Sequence, residues 1–313
     1  MQILKWKYMF IWFLRKARRK VFKTPILLKQ YAGKPVISNE ETERILSEWI
    51  ISGHSFMAAR LGGTELNAMI NYEKKGFKAS RSKNEAIHLL VNYSGFFPDN
   101  SKELDKFCRL MYVSCKSLDL LGVWNNYMED YIVFRYCSNC LIAHLQGLEP
   151  WYVSKPWTAA LKGKKVLVLH PFEKTIRSQY NRREKLFPGT DILPEFGELY
   201  TVKAVQTLTG KRDPRFSSWF EALDWMFEEA MKYDFDLAII GCGAYGFPLA
   251  ARIKEAGRQA VHMGGATQLL FGIKGKRWDT HPVISQMYNK YWVRPDKSEI
   301  IEKAADVENG CYW

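Results

Sequence analysis

The chain has 313 residues, 47% hydrophobic and 25% charged. That is enough to bury a sizeable core in one large domain or two intimate ones, and too apolar for a disordered chain. Its net charge of +13 is uneven, because residues 1–23 carry eight Lys/Arg and no acid, leaving +5 on the rest. A nucleic-acid binder spreads positive charge over a structured face, so this distribution argues against one and points to the N-terminal segment.

Residues 1–24 form a basic aromatic segment. Its apolar run "YMFIWFL" (Tyr8–Leu14) falls far short of the roughly 20 residues that cross a bilayer. The basic block follows the apolar run and no small-residue cleavage site appears, which argues against a signal peptide. Trp, Phe and Leu beside clustered Lys/Arg suit a helix lying in the interface of an anionic leaflet. The plainer reading is a first helix packed on the domain, with Arg15 to Lys20 as its solvated end. With no signal peptide, the six cysteines are expected as free thiols in the cell interior. "CSNC" at 137–140 has no second pair at zinc spacing.

Residues 25–150 read as a mostly helical portion. Ile45, Leu46, Trp49 and Ile50 recur at helical spacing behind Ser38/Asn39, giving a helix over 40–51. A short strand, "SFMAARLG", follows, and a second helix is expected over 101–121. After Pro150 the texture changes. "KKVLVLHPF" (164–172), "ELYTVKAVQT" (198–207), "DLAII" (236–240) and "QAVHM" (259–263) read as buried strands. Ser218-x-x-Glu221 opens a helix as a capping box, and a further helix spans 247–256, with Pro248 in its first turn and Gly257 past its end. The expected fold is α/β, a Rossmann-like parallel sheet flanked by helices, with its nucleotide-binding core and C-terminal tail in residues 151–313.

Candidate chemistry sits where these strands end. "GCGAYG" places Gly241, Gly243 and Gly246 as G-x-G-x-x-G between a strand and a helix, with Tyr245 inside it. Such a turn offers helix N–H groups to a phosphate. A dinucleotide fold also needs an acid about 20 residues on, but "VHMGG" supplies His262, Gly264 and Gly265 there, which weakens a dehydrogenase reading. "HPFEKTIRSQYNRRE" leaves a strand end with His170, Glu173 and Arg177 as candidates, while Arg182 and Arg183 belong to a solvated face. "MAARLGGTELNAM" puts Arg60, Gly62 and Glu65 at a strand-to-helix turn. Glu65 reads equally as a metal ligand or base and as a first-turn acid favoured by the helix dipole. "VHMGGATQLLFGIKGKRW" adds the amide of Gln268 and two cations, Lys274 and Arg277, suited to a leaving diphosphate. No Ser-His-Asp order, H-E-x-x-H or Walker A is present.

On "RLGGTEL", "VLVLHPFEKTIRSQY", "GCGAYGFPLAARIKEAGRQAVHMGGATQLLFGIKGKRW" and "VENGCYW", the chain resembles the GT-D-fold glycosyltransferases of bacterial surface-polysaccharide and glycan assembly. The resemblance covers about residues 40–313. It implies transfer of a sugar from a nucleotide-diphosphate sugar to a glycan acceptor; the basic aromatic N-terminal segment, outside the resemblance, would bring such an enzyme to a lipid-linked acceptor at the inner face of the cytoplasmic membrane. Members of that group carry Asp-x-Glu in a segment like R-F-G-D-G-E, associated with Mn²⁺ or Mg²⁺ and the donor. Here Glu65 keeps the glutamate and Gly63 replaces the aspartate, leaving one carboxylate for a metal. Catalysis would then fall to Glu65, His170 and Glu173. The competing classes are a nucleotide-cofactor oxidoreductase, which NAD(P) would stabilise, and a scaffold of a polysaccharide-assembly complex that lost catalysis with its aspartate.

Overall fold

In a computed structural model describing residues 2–22, 28–73, 83–307 and 310–313, nine strands make one sheet. They are β1 (Gln30–Tyr31), β2 (Lys34–Ile37), β3 (Met57–Ala59), β4 (Leu120–Val123), β5 (Leu141–His144), β6 (Lys165–His170), β7 (Glu198–Lys203), β8 (Leu237–Ile240) and β9 (Gln259–His262). Their order is β1-β2-β5-β4-β3-β9-β8-β6-β7. β1 is antiparallel to β2, and every other pairing is parallel. The expected segment boundary at residue 24 and residues 308–309 of "VENGCYW" lie outside the described residues.

The helices are α1 (Gln2–Phe22), α2 (Asn39–Ser52), α3 (Gly63–Tyr72), α4 (Lys83–Ser94), α5 (Ser101–Ser114), α6 (Glu129–Tyr136), α7 (Glu173–Tyr180), α8 (Trp219–Met231), α9 (Gly246–Glu255), α10 (Thr267–Leu270) and α11 (Ile284–Met287). Two apolar layers cover the sheet, following the two-residue period of its strands. Leu167 and Leu169 of β6 join the layer built with α3, α5, α8 and α9, while Val166 and Val168 join that of α2, α7 and α10. Both faces are buried, as the continuous apolar runs predicted.

Local signals explain the helix starts. The Ser38 hydroxyl accepts the Glu41 N–H at 3.1 Å, and Ser218 accepts that of Glu221 at 3.3 Å, each cap worth about 1 kcal/mol. The Glu221 carboxylate closes its box on the Ser217 N–H at 2.6 Å.

The first half departs from the mostly helical expectation. β2, β4 and β5 come from it and extend the same sheet through β3, which pairs with β9. The helix expected over 101–121 stops at Ser114, and Leu120–Val123 is strand β4. Four-residue apolar runs such as "LLGV" carry too little periodicity to separate strand from helix; only the sheet neighbours decide.

α1 packs one face on this body. Lys5 meets Glu73 at 3.3 Å, Trp12 packs edge-on to Tyr127 at 5.0 Å, and Arg15 pairs with Asp130 at 3.1 Å. Arg15 is thus a packed residue and not part of a solvated end. No helix among the described residues is long and apolar enough to cross a membrane.

Candidate active site

Parallel strands bring their carboxyl ends to one edge, and the connections there diverge. β3 and β8 lead into α3 and α9 on one face, whereas β6 and β9 lead into α7 and α10 on the other. Crevices open in α/β sheets where neighbouring connections part in this way. A cleft of about 750 Å³ lies at that place.

Twelve of the sequence-nominated residues line it: Arg60, Gly62, Glu65, His170, Gly241, Gly243, Tyr245, His262, Gly264, Gly265, Gln268 and Arg277. Four do not. Glu173 is turned to the β7 side, where its Oε1 accepts from Arg177 at 3.1 Å and from the Thr201 hydroxyl at 2.9 Å. Arg177 also donates to Thr201 at 2.6 Å. The two nominees therefore satisfy each other one helical turn apart, outside the cleft. Lys274 lies over the Tyr288 ring, 5.1 Å from its centre. Gly246 is behind the wall, against the His262 ring.

The glycine loop has three separate reasons for its glycines. Gly243 holds a left-handed φ of +57°, which favours glycine. A Cβ on Gly241 would come within 2.7 Å of the Gly264 carbonyl, His170 and Thr267. One on Gly246 would run into the His262 imidazole. Gly264 and Gly265 repeat the device: the first, with φ +62°, carries the Arg60 stem, and a Cβ on the second would meet the Tyr312 ring at 2.5 Å. Tyr245 is anchored beneath the cleft, stacked on buried Trp219 with centroids 4.7 Å apart and an 8° interplanar angle.

Two buried imidazoles flank β8. His170 Nδ1 accepts the Phe172 N–H at 3.0 Å, which leaves the proton of the neutral ring on Nε2. His262 Nδ1 lies 3.1 Å from the Ile240 carbonyl, so it carries the proton and leaves Nε2 as an acceptor. Burial depresses both to about 3, with the Arg60 charge a further cause for His262. Both rings are thus neutral at physiological pH.

Glu65 is buried in the first turn of α3. Its Oε2 accepts the Thr64 hydroxyl at 3.0 Å, and its carboxylate folds over Gly62, whose missing Cβ gives it room. It is the one carboxylate side chain among the described lining residues. Among the described residues no group of three or more His, Cys, Asp and Glu is placed to hold a metal ion. The lining side chains thus supply a single carboxylate to any metal.

Sequence reasoning missed further lining residues, Tyr93, Ser94, Trp124, Asn126, Tyr127, Thr207 and Trp313. Trp124 lies under the Arg60 guanidinium, 4.2 Å from the ring centre, and its indole N–H donates to the Leu61 carbonyl at 3.0 Å. The signal was present in "LLGVWNN", a short apolar run ending in an aromatic and two amides. Once "LLGV" is a strand of the parallel sheet, its exit belongs to the cleft.

The class defined by this fold and site is a parallel α/β protein with a ligand crevice at the carboxyl edge of its sheet. No family model matches the sequence, and no curated protein matches it. Among solved structures, the chain is similar to one described as "The highly conserved domain of unknown function 1792 has a distinct glycosyltransferase fold". Identity is 14% and the TM-score 0.43, over 73% of this chain and 77% of that one. It is similar also to a "Selenomethionine substituted structure of domain of unknown function 1792 (DUF1792)", at 14% identity and TM-score 0.43, over 74% and 79%.

Proposed function

We propose that the chain is a glycosyltransferase that binds a nucleotide-diphosphate sugar in this cleft and passes the sugar to a hydroxyl of a glycan. The observation that carries the reading is the composition of the crevice: one buried carboxylate, Glu65, two arginines, Arg60 and Arg277, and aromatic walls. The loop before α9 adds backbone N–H groups and the positive end of a helix dipole. Trp124, Tyr127, Tyr312 and Trp313 offer flat apolar faces to a base or sugar ring. The resemblance in "RLGGTEL" and "VHMGGATQLLFGIKGKRW" points the same way.

In the reaction, the acceptor oxygen attacks the anomeric carbon, and the bond from that carbon to the phosphate oxygen breaks. The diphosphate leaves with the electron pair, and the acceptor proton passes to the Glu65 carboxylate. Arg60 and Arg277 take up the charge that grows on the leaving group. His170, with its Nε2 proton, donates a hydrogen bond without adding charge. Transfer by Glu65→Gln should fall by about 10²-fold or more, with nucleotide binding and melting temperature kept. Full transfer by that variant would remove Glu65 from the chemistry.

For the acceptor we assign a lipid-linked glycan of surface-polysaccharide assembly, met at the inner face of the cytoplasmic membrane. The support is α1. Ile3, Trp6, Phe10, Phe13, Leu14 and Val21 are exposed along it, at spacings that keep one face outward. Lys7, Lys16, Arg18, Arg19 and Lys20 are exposed beside them. That combination suits an anionic interface.

A further inference from the structure

We propose that the cleft neutralises its diphosphate with the Arg60 guanidinium in place of a protein-bound divalent cation, so that nucleoside diphosphates bind equally well without metal. The inference rests on the donor reading above and narrows it.

The first ground is the oxygen set. A Mg²⁺-like ion demands near-octahedral oxygen ligation, anchored by one or two carboxylates and completed by phosphates and water. Among its side chains this cleft offers the lower bound, Glu65, with one of its oxygens already accepting from Thr64 at 3.0 Å. The neighbouring position cannot add a second ligand. Gly63 has no side chain, and a Cβ there would face the Trp124 ring at 3.9 Å. That ring already carries a cation, because Arg60 lies 4.2 Å over it. The corner where a second carboxylate would gather a metal is therefore bordered by an indole and a guanidinium.

The second ground is that Arg60 is held in place without a hydrogen-bonded or ion-paired acid. Trp124 beneath it is fixed by the 3.0 Å bond from its indole N–H to Leu61 O in the same turn. The Arg60 stem rests on Gly264, where a Cβ would stand 3.4 Å from Cδ and 3.5 Å from Nη1. Among the described residues no hydrogen bond or ion pair occupies its guanidinium, whereas Arg15, Arg177, Arg252 and Arg294 all have carboxylate partners. Glu129 and Glu149 feel the Arg60 charge, but neither is bonded to it, and a planar fork held by packing with its N–H groups unclaimed matches a pair of phosphate oxygens, its ordering cost already met on folding. Arg60 also leaves from the end of β3, beside β9, at the crevice itself.

The test is isothermal titration of the full chain with UDP, ADP, GDP and CDP, in EDTA and again with excess Mn²⁺. At least one should bind, with Kd values in the two conditions agreeing within about threefold, under 1 kcal/mol. Arg60→Ala should weaken that binding by about 10- to 100-fold in both conditions, the worth of charge-assisted hydrogen bonds. Arg60→Lys, which keeps the charge and loses the fork, should fall between. Thermal melts of each variant separate lost binding from lost fold. Binding that appears only with Mn²⁺ overturns the inference and leaves the donor reading standing. So does unchanged affinity in a folded Arg60→Ala. Absence of binding by any of the four under both conditions overturns the donor reading, and this inference with it.

Discussion

Gly246 shows how little of a motif's meaning lies in its spacing. It opens α9, and the place its Cβ would take is filled by the His262 imidazole from the end of β9. That ring is buried and held by its 3.1 Å contact with Ile240 O. Gly246→Ala should therefore lose on the order of 1–3 kcal/mol or more in denaturant unfolding, as overpacked cores do. Adding His262→Ala should restore much of the loss, giving a coupling well outside additivity. Additive losses would mean that Gly246 is needed for some reason other than the ring. The sequence disclosed the glycines and the strand-to-helix turn correctly. It could not disclose that Gly241 packs on His170 and Gly246 on His262, because those partners arrive from other strands. Glu65 was equally ambiguous in sequence, where first-turn acid and cleft carboxylate are the same letters. Its burial beside Arg60's turn is what separates it from Glu173, whose nearest partners are Arg177 and Thr201.

At the scale of one element, α1 joins two surfaces. Its inner face reaches the cleft's own supports. Lys5 holds Glu73, the residue that caps the end of α3, whose first turn carries Glu65. Trp12 and Arg15 hold Tyr127 and Asn125 in the loop that supplies Trp124 and Asn126. Its outer face presents Trp6, Phe10 and Phe13, each about 60% exposed. The chain should co-sediment with phosphatidylglycerol vesicles more than with phosphatidylcholine, and less as salt screens the basic residues. Each aromatic adds roughly 1.5–3 kcal/mol on burial. Trp6→Ser, Phe10→Ser and Phe13→Ser together should thus cut partitioning by about 100-fold or more while leaving the melting temperature alone. Unchanged vesicle binding, or a lipid-free dimer abolished by the same substitutions, would show that something other than lipid covers this face. Composition exposed the element's basic aromatic character. It did not show that Lys5 and Arg15 turn inward, since a cation on an amphipathic helix reads as solvated until an acid from distant sequence is placed opposite it.

Across the whole molecule, buried titratable groups set opposing demands on pH. Burial raises Glu43 to about 8 and Glu129 and Glu149 to about 7. The Trp157 N–H pulls Glu43 partly back; hydrogen bonds from the Asn126 N–H and the Tyr31 hydroxyl do so for Glu129, and the Arg60 charge for Glu149. The unfolded chain releases these protons near the ordinary value of 4.5, so the folded state holds extra protons between about pH 4.5 and 8. Stability from these groups is present at the acid end of that window and is lost as pH rises through it. The histidines act in the opposite sense. Unfolded, they protonate near 6.5, and folded, only near 3, so acidification below 6.5 costs stability continuously down to about pH 3. Between 4.5 and 6.5 the three glutamates, joined by Asp130, which burial raises to about 6, outweigh the buried histidines; below 4.5 the histidines are joined by carboxylates held below their ordinary values, such as Asp296 beside Ser298 and Lys174. The melting temperature should therefore peak near pH 5, declining toward pH 8 and more steeply below pH 4.5. Glu43 tests the alkaline limb cleanly because it sits on α2, away from the cleft, with Oε2 on the Trp157 N–H and Oε1 buried without a partner among the described residues. Glu43→Gln keeps the shape and cannot ionise. It should stabilise the protein at pH 8 by on the order of 1–3 kcal/mol and change little at pH 5, measured by denaturant unfolding at both values. Equal effects at the two pH values would show that packing around Trp157, and not ionisation, decides what Glu43 costs the fold.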